Sequence, residues 1–246
     1  TRPTLPANEN ETHWEPEYAD AATGPWYRAS QIATATTFGD DSAATISTTN
    51  LSDAAGIYWP PPAAKYLVKD SGRLLMAGCY ETSGGYTTPS NTTVWWTPPI
   101  GASDIGDAER VPTGYKIQVE SAITGMGVCN GVVYVFGYDS IWGLIPTGLT
   151  GANAYQRYTE RTDIGCIRHS SILVGEDENG QACLYFWSRK GPYRIGPQGI
   201  QYLGNDIEAT TSTINLDATT TTVHGVYYAE KHQVWYWIAT GSNNEP

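Results

Sequence analysis

Asn130-Gly131 constrains this chain more than any other pair of residues. The two central positions of a tight hairpin turn need positive φ, which Asn and Gly tolerate at little cost. The pair separates Met126–Cys129 from Val132-Val133-Tyr134-Val135-Phe136, and a second turn at Tyr138-Asp139-Ser140 leads into Ile141-Trp142-Gly143-Leu144. Strand, turn, strand, turn, strand in so short a stretch is the inner part of an antiparallel meander. The unit recurs at a constant offset of 51 positions: Val132, Tyr134, Phe136, Trp142 and Leu144 are answered by Cys183, Tyr185, Trp187, Tyr193 and Ile195. The first three are answered again by Val234, Tyr236 and Ile238. Side chains alternate across a strand, so each central Tyr shares a face with the large or apolar residues two positions away. An earlier, less regular copy is Arg73–Gly78, with Val94–Thr97 after an insertion. A period of about 50 residues is that of a propeller blade.

The flanking segments read as a succession of such hairpins. Residues 1–60 form an N-terminal arm and irregular β region, Pro-, Glu- and Asn-rich at first, with Trp14 and Trp26 as anchors. The arm packs either on a neighbouring subunit or on its own domain. Short strands are expected at Trp26–Ala29, Ala33–Phe38 and Thr45–Thr48. The blades occupy 61–240. Lys65–Val68 returns through Lys69-Asp70-Ser71-Gly72 into Arg73–Tyr80, and Tyr115–Val119 alternates as a strand. Asp104 to Arg110 is an acidic loop or a single helical turn. Ser170–Val174 reads as a strand before the turn Glu176–Gly180. Residues 197–222 read as a Thr- and Asp-rich connection with a helical turn at Asn205–Glu208. Val223–Ala229 and Gln233–Ala239 make a last hairpin, and 241–246 is a tail. The chain starts Thr1-Arg2-Pro3 without Met, as a mature product or a piece of a longer protein would. There is no apolar run approaching the roughly 18 residues of a membrane span, so no membrane insertion is expected.

Chemistry-bearing residues are sparse. A glycosidase needs two carboxyls across the scissile bond. Asp104, Asp107 and Glu109 share one loop, and Glu176, Asp177 and Glu178 share one turn, both solvated. Asp139 and Asp163 sit at strand ends, but Asp139 is an ordinary turn residue. His13, His169, His224 and His232 lack metal-ligand spacing, and Ser170 beside His169 on a strand would point to the opposite face. The acidic turn lacks the alternating Asp/Asn pattern of a calcium loop. Catalytic, cofactor-binding and metal-binding residues are therefore all read as none, and no enzyme is expected. Cys79, Cys129, Cys166 and Cys183 contain no C-x-x-C. Cys129 and Cys183 are expected as buried thiols, with a disulfide left open because geometry decides it. Aromatics are the richer signal. Trp14, Trp26, Trp95, Trp235 and Trp237 are candidates for interface or stacking roles, and only Trp235 and Trp237 share a strand face, opposite Tyr236. The net charge of −11 and the lack of a basic patch argue against specific nucleic-acid binding.

Several segments together resemble a known family. GRLLMAG, TGMGVCNGVVYVFGYDSIWGL, RHSSILVGEDENGQACLYFWSRKGPYRIG and YYAEKHQVWYWIA look like the β-propeller of bacteriophage head-to-tail connector and tail nozzle proteins. Val132–Leu144 fits that family's Asn/Gly turn, V-V-F-G, polar turn and S-I-W/Y-x-L most closely. Gly191-Pro192-Tyr193-Arg194 matches its Gly-x-Tyr-Arg segment, and Gln233-Val234-Trp235 its Gln-Val-Trp. The resemblance covers about residues 60–240. It implies an all-β chain of propeller blades, acting as a structural virion protein of the phage tail or head–tail junction. It implies a homo-oligomeric ring around the DNA exit channel, in contact with other tail or adaptor proteins. The first 60 or so residues match nothing in it, and only four blade cores are visible, near Leu74, Val133, Leu184 and Trp235. A closed ring is expected to have more, so the propeller is an incomplete ring, a fragment, or one completed by the N-terminal region. An acidic chain suits a channel that must not hold DNA, since Lys/Arg contacts bind phosphates through counterion release. The rival expectation is a lectin-like propeller or receptor-binding module that reads glycan through Trp and Tyr.

Overall fold

Alternating apolar residues punctuated by two-residue turns produce antiparallel sheets wherever both faces can be covered. The structure, a computed structural model, describes residues 17–18, 27–28, 58–59, 62–79, 90–99, 111–112, 114–211, 214 and 222–238. The chain divides into two units, Thr1–Trp59 and Pro60–Pro246. The first holds β1 (Glu17–Tyr18), β2 (Tyr27–Arg28) and β3 (Tyr58–Trp59), with β1 and β2 paired antiparallel. The strands expected at 33–38 and 45–48, the acidic segment 104–110, Trp14 and Trp26 lie outside the described residues.

The described part of the second unit is all-β apart from short helical turns. Sheet I is built from β4 (Tyr66–Asp70), β5 (Arg73–Ala77), β6 (Thr93–Trp96) and β8 (Lys116–Gln118), with β7 (Val111–Pro112) between the last two in the chain. Sheet II comprises β9 (Ile123–Cys129), β10 (Val132–Gly137), β11 (Ile141–Pro146) and β12 (Tyr155–Arg161). Sheet III comprises β13 (Leu173–Glu176), β14 (Ala182–Ser188), β15 (Gly191–Gly196) and β16 (Gly199–Tyr202). A hairpin of β17 (Val223–Tyr228) and β18 (Gln233–Ile238) ends the described residues. Each four-stranded sheet is a meander of strands in chain order, all antiparallel.

The turns explain the order. Asn130 and Gly131 both take positive φ, at 51° and 72°, and Ser71-Gly72 closes the β4–β5 hairpin in the same way at 47° and 72°. The expected four-residue turn from Lys69 is thus two residues long, because Lys69 and Asp70 continue the ladder opposite Leu74 and Arg73. Sheet III gains a fourth strand, β16, within the segment expected as a connection. The expected strand Ser170–Val174 starts only at Leu173, because His169–Ser171 is a 3-10 turn. The expected helical turn is present at Asn205–Ile207, followed by Glu208–Thr211.

The core lies between the sheets. Leu75, Ala77, Val94 and Trp96 of sheet I pack against Met126, Val133, Val135, Trp142 and Leu144 of sheet II. The other face of sheet II brings Cys129, Phe136 and Ile141 against Leu184, Phe186, Tyr193 and Ile195 of sheet III. Trp187 on the far face of sheet III meets Val223, Tyr236 and Ile238 of the hairpin. Phe136 and Phe186 are fully buried with ring centroids 4.9 Å apart. Burial of that completeness stabilises by about 1.5–3 kcal/mol per side chain. First strands lie beside first strands: β4 beside β9, β9 beside β13, β13 beside β17.

These facings correct the repeat in one respect. Tyr134 and Tyr185 look toward the following sheet, whereas Tyr236 looks back toward sheet III, its ring centroid 5.1 Å from that of Trp187. The offset of 51 positions therefore slips by one strand position in its third copy, and one position turns a side chain to the opposite face. By facing, Trp235 and Trp237 are the counterparts of Tyr134 and Tyr185.

Close approach of the first strands requires glycine. A Cβ on Gly127 would lie 2.9 Å from Ile172 and 3.1 Å from Leu184, and one on Gly175 would lie 2.7 Å from the Tyr227 ring. That ring is held in place by stacking on Tyr185, centroids 6.1 Å apart. Gly175→Ala should therefore destabilise the fold by about 1–3 kcal/mol, the usual cost of overpacking. Gly131→Ala meets open space but keeps a φ of 72°, and should cost about 1–2 kcal/mol. Urea denaturation followed by Trp fluorescence measures both; a neutral Gly175→Ala would contradict the packing described.

Candidate functional site

The described residues offer two places where chemistry could concentrate, a connector buried between sheets and an exposed aromatic face. The connector, residues 162–172, carries the chain from β12, the last strand of sheet II, to β13, the first of sheet III. Its centre, residues 164–167, is buried, so the backbone polar groups there must find partners inside the protein. They do so on three sheets. The Cys166 amide donates to Gly137 O at 2.9 Å, and Thr124 Oγ1 donates to Cys166 O at 2.6 Å, both in sheet II. The Ile167 amide donates to Trp187 O at 3.0 Å, and the Trp187 amide returns a bond to Ser171 Oγ at 3.2 Å, both in sheet III. Ser170 Oγ donates to Val223 O, and Tyr236 Oη donates to Ser171 O at 3.3 Å, both in the hairpin. Ser171 is fully buried and its hydroxyl also donates to Arg168 O at 2.8 Å. Ser170 thus points to a backbone carbonyl and not to His169, in keeping with a positional role.

The ionisable groups are held apart. Asp163 is exposed and paired with Arg161 at 2.8 Å and with Lys190 at 3.5 Å. The Arg161 hydrogen bonds hold its carboxyl below the usual range. Asp139 lies 3.5 Å from Arg189, at a surface where such pairs contribute little. Glu178 makes a bidentate pair with Arg194, whose hydrogen bonds pull its carboxyl down to about 2. Asp177 is buried because its Oδ1 accepts the amides of Asn179 and Gln181, each at 2.9 Å, which builds the hairpin turn. Asp70 is buried under the Tyr155 hydroxyl, which donates to it at 3.0 Å. His232 takes positive φ in the last hairpin turn with Nδ1 3.0 Å from Tyr227 Oη. Among the described residues, no group of three or more His, Cys, Asp or Glu side chains could hold a metal ion. No helix among them is long and apolar enough to cross a membrane.

Cys79, Cys129, Cys166 and Cys183 are all buried, and none of them is in a disulfide. Burial pushes the Cys129 and Cys166 thiols up to about 11. Cys129 faces sheet III, while Cys183 lies on the strand face of Tyr185 and Trp187, away from sheet II. The β14 backbone lies between the two thiols and would have to move before they could be bridged.

The aromatic face belongs to the last hairpin. Val226, Trp235 and Trp237 share its outer side and are 52%, 53% and 46% exposed, with Tyr228 beside them. The rings of Trp235 and Trp237 are 6.3 Å apart, and Trp235 Nε1 donates to Gln233 at 3.2 Å. Their shared face is legible from alternation. Trp95, grouped with them on sequence grounds, sits on the outward face of sheet I, is buried, and has the Lys116 ammonium 4.8 Å above its ring. The connector network is not evident from the sequence; its one signal is the run of small polar residues in Cys166-Ile167-Arg168-His169-Ser170-Ser171, too polar for a buried strand.

Searched against models of known protein families, the chain matches none, and no curated protein matches it.

Ser171→Ala should cost about 1–3 kcal/mol, because the Trp187 amide and the Arg168 carbonyl lose a buried partner. Chemical denaturation tests it, and a change below experimental error would show that the connector is not a structural determinant. At pH 8 a thiol reagent such as Ellman's should react with the native protein far more slowly than with the same protein in guanidinium, since buried thiols stay protonated. Equal rates would contradict the burial of Cys129 and Cys166.

Proposed function

We propose that this chain is a structural subunit of a bacteriophage tail or head–tail junction, a β-propeller whose copies form a ring around the DNA exit channel. The observation that supports the reading best is the packing order. First strands β4, β9, β13 and β17 neighbour one another in sequence, and each sheet covers the face of the next. Blades of a propeller follow one another in this way. The motifs that resemble the connector and nozzle family fall at structural positions within it: the Asn130-Gly131 turn, Ser140–Leu144 leading into and along β11, and Gly191–Arg194 in β15. In this reading the chain resides in the virion and carries no enzymatic activity. Its other contacts are tail or head–tail adaptor proteins. A net charge of −11 leaves passing DNA unheld. Trp235 and Trp237 then serve contacts between protein chains, where Trp is enriched and well suited as an anchor.

A second reading, glycan binding, is favoured by one feature: two adjacent, half-exposed Trp rings on one strand face with Gln233 at their edge. Light scattering with negative-stain imaging separates the two. The ring reading expects a mass several times 26.7 kDa and particles with a central hole. Trp235→Ser with Trp237→Ser should shift that mass toward the monomer while leaving the melting temperature within a few degrees, as surface changes do. A 26.7 kDa monomer whose Trp fluorescence responds to a glycan, with loss of the response in the double variant, would replace the first reading by the second.

A further inference from the structure

We propose that His169 is an acid-released latch between the first strands of sheets I and II. The residue opens the 3-10 turn of the connector. Its Nδ1 accepts the Met126 amide of β9 at 3.5 Å. Its ring lies against Tyr66 of β4, centroids 5.0 Å apart. Gly125 of β9 runs directly beneath it: a Cβ there would come within 3.1 Å of both its Cα and its Nδ1. One imidazole therefore touches β4 and β9 from a segment that belongs to neither sheet.

The hydrogen bond from Met126 fixes the tautomer, because an acceptor Nδ1 leaves the proton on Nε2. A second proton must go to Nδ1. It would face the Met126 N–H, so an acceptor becomes a donor opposite a donor. Among the described residues, nothing that packs on the ring favours the imidazolium. From β4 come the Tyr66 phenol and, just before it, the Lys65 ammonium, the latter 5.9 Å from the Tyr66 ring centroid. From β9 come Gly125 and Met126, which do not ionise. β14 and β17 meet the turn through Trp187 and Val223, also without charge. The connector itself adds the Arg168 cation and the Cys166 thiol, whose proton is directed to Arg168 O. Among the described residues that meet the ring, none is a carboxylate. Burial independently lowers the proton affinity of His169. The sign follows: unfolded or released His169 binds the proton better than the latched one, so the latched state loses stability as pH falls through the ordinary His range, near about 6.5. Released, the ring gives up both of its contacts, and the seam between β4 and β9 is where the fold loosens.

Hydrogen–deuterium exchange of the full chain at pH 7.5 and 5.5, corrected for intrinsic rates, tests the latch. The wild type should lose protection severalfold at the Met126 amide and along β4 at the lower pH, while β14 and β15 keep theirs. His169→Asn retains an acceptor oxygen near the Nδ1 position and cannot titrate, so its protection at Met126 and β4 should not depend on pH. Equal pH-dependent loss in this variant, or none in the wild type, would overturn the proposal. Should His169→Asn fail to fold, NMR titration of the His169 ring in the wild type decides instead. Titration below the ordinary His value, near about 6.5, supports the latch, and titration at that value refutes it.

Discussion

A chain that leaves the last strand of one sheet and must begin the first strand of the next has to cross between two packed layers. Its peptide groups cannot take water with them. The connector solves this by bonding to all the layers it passes: Gly137 and Thr124 on one side, Trp187 on the other, Val223 and Tyr236 beyond. The sheets are thus tied to each other by directional bonds as well as by apolar contact. Apolar layers alone tolerate sliding; a buried amide bonded to a particular carbonyl does not. This segment fixes the relative placement of sheet II, sheet III and the hairpin together with the Asn130 side chain, which donates to Ala182 O, and the Tyr227 hydroxyl, which donates to Glu176 O.

Local rules made much of the fold legible. Positive φ at Asn130-Gly131 and at Gly72 fixed two hairpins, and alternation placed Trp235 and Trp237 opposite Tyr236. What escaped depends on tertiary context. β16, with the sequence Gly-Ile-Gln-Tyr, is half-buried throughout and carries no strong alternation; it is a strand because β15 offers it an edge. The recurrence of Tyr at a fixed interval in the third copy falls on the wrong side, since a sequence offset cannot see a one-residue slip between two strands. His169–Ser171 resembles the start of a strand because its neighbours Ile172 and Leu173 are apolar. The three residues turn instead because their hydroxyls and imidazole find partners on other sheets.

The candidate site divides in the same way. Exposure of the aromatic hairpin face follows from strand parity once Tyr236 is placed against Trp187. The burial of Trp95 does not, because alternation puts it opposite Trp96, on the face turned away from sheet II, where parity alone would leave it exposed. Likewise, the acidic turn at Glu176–Gly180 looks like a cluster of free carboxylates. Two of them have separate structural roles, with Asp177 folding the turn and Glu178 fastening it to Arg194 on β15.

The glycines of the first strands have a geometric consequence. At Gly127 the gap between sheets II and III is too narrow for a methyl group, whereas a later strand of sheet III fills the same gap with Tyr193. Between sheets II and III the space is therefore a taper, thin at the first strands and an aromatic ring wide at the later ones. Layers separated by a wedge do not stack in parallel. The angle between these two sheets is then written in residue volume. Evolution could open or tighten the wedge by trading side chains at either edge, without altering a single turn or hydrogen-bonded register.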